Sequence, residues 1–230
     1  MTQMLYWITQ SLADIPGNSD WLSDGERKIL EAMRFPKRRN DWRLGRWTAK
    51  QAVCSYQMKP ESPLSLLEIR AASDGAPEAF WADGSPSASI SISHSNNRSL
   101  CVIGPQGLAV GCDLERVEPR ENGLIQDYFL AEEIAETMRI PSSGRDLAVN
   151  LIWSAKETVL KVLREGLRRD TRSICIHVDT FQPEEDWSAW TGTCTESSRD
   201  FCGWWRLCEG FIHTMAADQP TSAPKQLTGI

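Results

Sequence analysis

Two short stretches of the chain carry residue types that can hold a divalent metal ion against a phosphate. The first is GCDLE at residues 111–115, and the second is WSAKETVLKVLR at residues 153–164. Together they supply three carboxylates and two lysines. Carboxylate oxygens are the protein ligands that Mg²⁺ prefers, and an ammonium group neutralises phosphate oxygens. The two stretches therefore predict metal-dependent phosphate chemistry, provided that the fold brings them together.

The second stretch has the periodicity of a helix with one buried face. Glu157 falls opposite the apolar stripe, so we do not expect it in the core. A plainer interpretation is that Glu157 and Lys161 form a surface pair at i, i+4 spacing, worth a few tenths of a kcal/mol. Against this, Trp153 lies at the edge of the polar face, where free solvent does not favour a large aromatic side chain. The apolar stripe consists of Ala148, Leu151, Ile152, Ala155, Val159, Val162 and Leu163.

The first stretch lies in a segment that is apolar enough for a strand. Asp113 and Glu115 are two residues apart, so an extended chain places both carboxylates on the same side. Like charges side by side repel each other unless a cation or protons intervene. Taken alone, the D-x-E pattern is weak and more often marks two solvated carboxylates. The pattern predicts a metal site only in combination with the helix that follows it.

The composition is that of a globular protein in a reducing compartment. Of the 230 residues, 41% are hydrophobic, which is enough for one large domain or two small ones. No apolar run reaches the roughly 20 residues that span a bilayer, and the first residues lack the basic region of a signal peptide. The seven cysteines include no C-x-x-C pair, which indicates reduced thiols rather than disulfides or a zinc site. We therefore expect a cytoplasmic protein without membrane contact.

The charge distribution excludes nucleic acid as a general partner but leaves one basic region. The net charge is −6, whereas residues 37–50 carry six basic residues and one acid, a local charge of +5. Four of the cations recur at the three-to-four spacing of one helical side, which favours a phosphate-binding surface over a merely solvated helix face. These four are Arg39, Arg43, Arg46 and Lys50.

The order of helical and extended segments predicts an α+β fold with two similar lobes, each a small, mostly antiparallel sheet with packed helices. We place the lobes at residues 1–110 and 111–217, followed by a flexible tail at residues 218–230. In the first lobe, ISISHS at residues 90–95 leads into a polar turn, where a lone histidine is more often structural than functional. Residues 104–107 are expected to form a hairpin turn into the strand that carries Asp113.

Common enzyme motifs are absent from the sequence. There is no P-loop, no dinucleotide-binding G-x-G-x-x-G, no G-x-S-x-G nucleophile elbow and no H-E-x-x-H zinc motif. These absences exclude the commonest nucleotide-binding and hydrolytic folds.

Four motifs occur together in a recognisable order: KRRNDWRLGRWTAK, ISISHS, VGCDLERV and WSAKETVLK. In this order and spacing the chain resembles the Sfp-type 4′-phosphopantetheinyl transferases, over roughly residues 37–161. The resemblance implies two lobes related by a pseudo-twofold axis and the transfer of 4′-phosphopantetheine from coenzyme A to a serine of an acyl or peptidyl carrier protein. It also implies Mg²⁺, or Mn²⁺ in its place, and release of adenosine 3′,5′-bisphosphate.

The resemblance also implies roles for individual residues. Asp113, Glu115 and Glu157 match the metal ligands, and Glu157 matches the residue proposed as base for the carrier serine. Lys161 matches the lysine that contacts the diphosphate of the coenzyme. Lys156 matches the family's lysine directly before the glutamate and is assigned to coenzyme binding as well. The phosphate and adenine end of the coenzyme is assigned to Ser93, His94, Arg46 and Lys50, together with Arg39 and Arg43.

One position departs from the family pattern. The family carries a basic residue in a G-(K/R)-P turn, whereas this chain has Ala76 between Gly75 and Pro77. Losing one charged hydrogen bond lowers coenzyme affinity by about 1–3 kcal/mol unless another cation such as Arg70 replaces it.

The expected enzyme is a holo-[acyl-carrier-protein] synthase that acts as a monomer in fatty-acid, polyketide or nonribosomal-peptide assembly. Two other functions fit the same residues. A Mg²⁺-dependent pyrophosphohydrolase would cleave coenzyme A or a nucleotide diphosphate with water, and a binding module would hold coenzyme A or a carrier domain without chemistry. Incubation with coenzyme A alone separates the hydrolase from the transferase.

Overall fold

The structure is a computed structural model that describes residues 2–229 and contains five α-helices and eleven strands. The helices are α1 (Asp24–Ala32), α2 (Pro36–Tyr56), α3 (Asn122–Tyr128), α4 (Ala131–Arg139) and α5 (Ser142–Val162). The strands of the first half are β1 (Gln3–Ser11), β2 (Leu67–Ala71), β3 (Pro77–Trp81), β4 (Pro86–Ser95) and β5 (Arg98–Gly104). Those of the second half are β6 (Val110–Arg116), β7 (Ile174–His177), β8 (Ser188–Cys194), β9 (Arg199–Cys208), β10 (Phe211–Ala217) and β11 (Thr221–Gln226).

The strands form two sheets whose topologies repeat each other. The first has the order β11-β1-β5-β4-β3-β2, and the second has the order β6-β10-β9-β8-β7. All neighbouring strands are antiparallel except β1 and β11, which are parallel. Each sheet packs against a helix of 21 residues, α2 in the first lobe and α5 in the second. The fold is therefore α+β with two similar lobes, as the sequence predicts.

A glycine determines how closely α5 approaches its sheet. A Cβ at Gly111 of β6 would lie 2.2 Å from the carbonyl oxygen of Thr158 and 2.9 Å from the backbone nitrogen of Val162. No side chain fits at that distance, so only glycine permits β6 and α5 to pack here. This close contact places the D-x-E strand directly beside the helix that carries Glu157.

Two expectations about connections are wrong. Residues 221–226 form β11, whose backbone pairs with β1, so this part of the tail is an ordered strand rather than a flexible end. Polar composition misled the prediction because a strand at the edge of a sheet needs few apolar side chains. Residues 104–107 do not form a hairpin turn, because β5 and β6 belong to different sheets. The segment instead leads the chain from one lobe to the other.

Within residues 2–229, no helix is both long enough and apolar enough to cross a membrane.

Candidate active site

The predicted site lies where β4 of the first lobe contacts β6 of the second. The backbone N–H of Cys112 donates to Ser91 Oγ at 3.1 Å. Further along the same two strands, Ser93 Oγ donates to Asp113 Oδ1 at 2.8 Å. The polar turn and the D-x-E strand, which are separate in the sequence, therefore form one surface between the lobes.

Asp113 is buried at the centre of this surface and is fully hydrogen-bonded. Its Oδ1 accepts from Ser93 and from Lys161 Nζ, the latter at 2.8 Å. Its Oδ2 accepts from Ser154 Oγ at 2.8 Å, and Ser154 also contacts Thr214 of β10. Asp113 is thus fixed by groups from both lobes, and Lys161 is its charged partner.

Glu115 is held by a second group of residues. Its Oε1 accepts from Trp153 Nε1 at 3.1 Å, and its Oε2 accepts from Arg120 at 2.8 Å. Arg120 Nε in turn donates to Asn150 Oδ1 at 2.6 Å. Burial raises the pKa of Glu115, and the charge of Asp113 raises that pKa further, whereas Arg120 lowers it. The tryptophan at the edge of the polar helix face therefore has a polar partner, in keeping with a site at that face.

Glu157 is half-buried on α5, one turn before Lys161. Burial raises the pKa of Glu157, and the charges of Asp113 and Glu115 add to that increase, while Lys161 opposes it. A carboxylate with a raised pKa is a stronger base than one in water. Burial disfavours the charge of Lys161, but the neighbouring carboxylates hold its pKa above the ordinary value, so it remains a cation.

The donor set is chemically suited to a hard divalent cation, although its arrangement is not that of a coordination shell. Within residues 2–229, no group of three or more His, Cys, Asp or Glu side chains is placed so that it could hold a metal ion. The cations that face Asp113 and Glu115 are Lys161 and Arg120. Asp113 nevertheless raises the pKa of Glu115, and Asp113 and Glu115 together raise that of Glu157. These three carboxylates are therefore a set that a divalent ion would stabilise.

Two cavities flank the turn at residues 74–77. One, of about 550 Å³, is lined by apolar residues of β3 and β4 and by Lys161. The other, of about 570 Å³, is lined by Arg46, Arg70 and His94. Arg70, which the sequence raised as a substitute for the missing cation at Ala76, therefore lies beside the same cavity as the predicted phosphate ligands.

Four of the predicted coenzyme contacts lie elsewhere. Arg39 donates to the carbonyl oxygens of Leu30 and Met33, so it links the C-terminal end of α1 to α2. Arg43 donates to those of Pro16 and Asn18, so it links the loop before α1 to α2.

Lys50 and Lys156 are fully buried inside their lobes. Lys50 pairs with Glu26 at 2.5 Å, and Lys156 pairs with Glu133 at 2.9 Å. Each lysine also donates to two backbone carbonyls. This geometry gives both lysines a structural role, and their contact with a coenzyme stays a prediction that no distance supports.

The sequence assigned no role to several residues of the site, although helical spacing placed two of them near Glu157. Ser154 precedes Glu157 by three positions, so helical spacing alone placed it on the same face. Asn150 precedes Glu157 by seven positions, so the same spacing placed it on that face as well, where it accepts from Arg120. Arg120 carries no such signal, because it reaches Glu115 from the loop after β6.

Comparison with known proteins agrees with this geometry. Residues 109–207 match the model of the 4′-phosphopantetheinyl transferase superfamily. This segment is a 4′-phosphopantetheinyl transferase superfamily domain. The segment includes Asp113, Glu115, Glu157 and Lys161, together with the Arg120 and Ser154 that hold two of them. No curated protein matches the chain.

The superfamily domain supports phosphopantetheine transfer as the general activity of this chain, with coenzyme A and a carrier protein as the general partners. Ser93 and His94 lie outside the matched segment. The structure nevertheless brings Ser93 into hydrogen-bond contact with Asp113. The first lobe therefore contributes directly to the surface that the phosphopantetheinyl transferase domain presents.

Proposed function

We propose that the chain is an Sfp-type enzyme that transfers 4′-phosphopantetheine from coenzyme A to a serine of an acyl or peptidyl carrier protein, releasing adenosine 3′,5′-bisphosphate. One observation carries the proposal. Asp113, Glu115, Glu157 and Lys161 converge at the contact between β6 and α5, inside the segment that matches the superfamily. Cavities on either side of the neighbouring turn provide room for a large coenzyme.

Asp113, Glu115 and Glu157 are the residues that would hold Mg²⁺, or Mn²⁺ in its place. When bound, such an ion neutralises charge on the oxygens of a transferring phosphoryl group. Lys161 faces Asp113 and Arg120 faces Glu115, whereas Asp113 and Glu115 raise the pKa of Glu157. The remaining excess of negative charge at Glu157 supports the proposal of a cation at this surface.

The side chains of the site can be assigned to the needs of the reaction. Lys161 is the cation for the diphosphate, since it lines a cavity and also contacts Asp113. Glu157 is the base for the carrier serine, because its raised pKa favours acceptance of a proton at neutral pH. Arg46, Arg70 and His94 surround the cavity suited to the nucleotide end. Ser93 and Ser154 orient Asp113.

The acceptor is proposed to be a small acidic helical carrier domain, and the enzyme is proposed to act as a cytoplasmic monomer. Because both lobes contribute to the site within one chain, no second copy is needed to complete it.

The direct test is the intact mass of an apo carrier protein after incubation with this protein, coenzyme A and Mg²⁺. Phosphopantetheine transfer adds about 340 Da to the serine through the phosphoryl chemistry proposed above. The Glu157→Gln variant should lose the gain, whereas Glu185→Gln, which changes an exposed carboxylate, should keep it. Breakdown of coenzyme A without a carrier would instead identify a pyrophosphohydrolase, and coenzyme binding without either product would identify a binding module.

A further inference from the structure

The face of α2 that borders the 570 Å³ cavity alternates aromatic and cationic side chains. Phe35, Arg38, Trp42 and Arg46 follow one another at spacings of three and four residues, and all four line the cavity. Phe35 is the N-cap of α2, so the series starts at the cavity rim and runs inward along one side of the helix. Side chains of these two kinds recognise flat rings and phosphates, respectively.

The inner end of the series is already fixed. Trp42 packs against the small apolar cluster of Trp21, Leu22 and Leu30, and the guanidinium carbon of Arg46 lies 4.4 Å from the centre of the Trp42 ring. Arg46 Nε is buried and, within residues 2–229, has no hydrogen-bond partner. A buried donor without a partner is costly in a folded protein unless a ligand or water completes it. Arg46 is therefore oriented by stacking while one of its donors remains available.

The outer end of the series is an aromatic ring without a comparable support. Phe35 is 71% exposed, although it lies beside a cavity rich in charge. Neither helix propensity nor capping requires phenylalanine at an N-cap, where Ser, Thr, Asp and Asn are preferred. Its ring is thus available for stacking at the rim.

The charge of the cavity selects an anionic partner. Lys37, Arg38, Arg46 and Arg70 line it, and Asp41 is the only acid among its lining residues in the described part of the chain. A ligand that combines a flat base with phosphates satisfies both the cations and the aromatic ring.

We propose that Phe35 stacks on the adenine of the coenzyme and that the Trp42-supported Arg46 binds an adjacent phosphate. Phe35 then makes the enzyme favour a donor that carries a planar base. The inference rests on the proposed function, because it takes the coenzyme as the ligand of this cavity. It adds residues that the sequence motifs did not assign: Phe35 as the stacking residue and Trp42 as the residue that positions Arg46.

The test measures binding of adenosine 3′,5′-bisphosphate by calorimetry, independently of transfer. Stacking of a base on an aromatic ring is worth enough that Phe35→Leu should weaken binding by roughly tenfold, while Phe35→Tyr retains the wild-type affinity. Because stacking is not ionic, Phe35→Leu should leave the salt dependence of binding unchanged, whereas Arg46→Gln should reduce it. Met58→Ala serves as the control, since Met58 is 85% exposed but lies outside the cavity lining. The melting temperature of Phe35→Leu should match that of the wild type, because the ring is exposed.

The outcomes separate this inference from the proposed function. Equal affinity of the wild type and Phe35→Leu would overturn the stacking role, whether or not the protein transfers phosphopantetheine. Absence of bisphosphate binding by the wild type would overturn it as well. Weakened binding by Phe35→Leu in a protein that modifies no carrier would leave the stacking role intact and remove the proposed transferase.

Discussion

The two lobes share one scaffold, and each contains a buried Lys–Glu pair at the same place in it. Glu26 accepts from the backbone N–H of Ser23 before α1 and from that of Ile69 in β2. Glu133 accepts from the backbone N–H of Leu130 before α4 and from that of Ile176 in β7. Their lysines, Lys50 and Lys156, lie on the long helices α2 and α5.

The lobes differ at the residues next to this shared pair. The residue after the lysine is Gln51 in the first lobe and Glu157 in the second. On the face that packs against the long helix, β1 of the first lobe buries Ile8, whereas β6 of the second lobe buries Asp113. A common framework therefore carries apolar and amide groups in one lobe and a cluster of carboxylates in the other. A buried Lys–Glu pair is thus present in both lobes, but the carboxylates that we propose for chemistry lie in the second.

The largest difference that we expect between the lobes is in the transfer rate, when Glu157 and its counterpart Gln51 are replaced. Loss of a general base lowers the transfer rate by roughly 10²–10⁴-fold, so Glu157→Gln should lose most activity with little change in melting temperature. Gln51→Met, at the equivalent position of α2, should leave the rate per folded molecule unchanged. Single-turnover transfer to a carrier protein measures both. Equal losses in the two variants would mean that the lobes do not differ in chemistry.

The paired lysines should show the opposite behaviour, with equal effects in the two lobes. Lys50→Met and Lys156→Met each leave a buried glutamate without its cation, which costs about 3–5 kcal/mol of unfolding free energy. Urea denaturation measures the loss, and Glu133→Leu combined with Lys156→Met should recover much of it. If Lys156→Met instead kept full stability and raised the KM for coenzyme A, the coenzyme contact implied by the sequence motif would be right.

The next prediction concerns the packing of α5 against β6. The second lobe has Gly111 where β6 meets α5, and a Cβ there would lie 2.2 Å from the Thr158 carbonyl oxygen. Gly111→Ala should therefore cost about 1–3 kcal/mol, as overpacked cores do, and should also slow transfer because α5 carries Glu157 and Lys161. Gly17→Ala, where a Cβ meets nothing within 4 Å, is the control. Thermal denaturation and transfer rate would be compared, and an unchanged Gly111→Ala protein would show that the close approach is not needed.

The sequence predicted the parts of the molecule that depend on local spacing. Period-3.6 apolar residues located α5, and the two-residue separation of Asp113 and Glu115 placed both on one strand. Helical spacing also predicted a phosphate-binding surface that includes Arg46, and Arg46 lies beside the basic cavity. The same spacing predicted Lys50 on that surface, but its side chain is buried against Glu26. A lysine in a series of basic residues along a helix is expected to be exposed. Its burial can be predicted only when the position of a glutamate that is distant in the sequence is known. The strand β11 was missed for the same reason, since its partner β1 lies far away in the chain. Arg120 was missed because its contact with Glu115 depends on how the chain turns after β6.

The smallest effect that we expect is a loss of unfolding free energy at acid pH, which should arise in the second lobe. His213 of β10 is buried, and burial, with the charge of Arg206, lowers its pKa to about 4. The histidine is neutral in the folded protein, and the unfolded chain binds a proton at an ordinary pKa of about 6.5. The contribution of His213 to the unfolding free energy is therefore fully present above about pH 6.5 and is lost as the pH falls towards 4.

The first lobe buries a thiol, Cys101 of β5, on the face towards α2, and burial raises its pKa well above its usual value, so it takes up no proton in acid. Between pH 7 and pH 5 the histidine alone should remove about 2 kcal/mol of unfolding free energy. His213→Cys, which replaces the imidazole with a group that takes up no proton in acid, should flatten this part of the pH profile. Urea denaturation at both pH values measures the change, and a profile as steep as that of the wild type would assign the acid sensitivity to other groups.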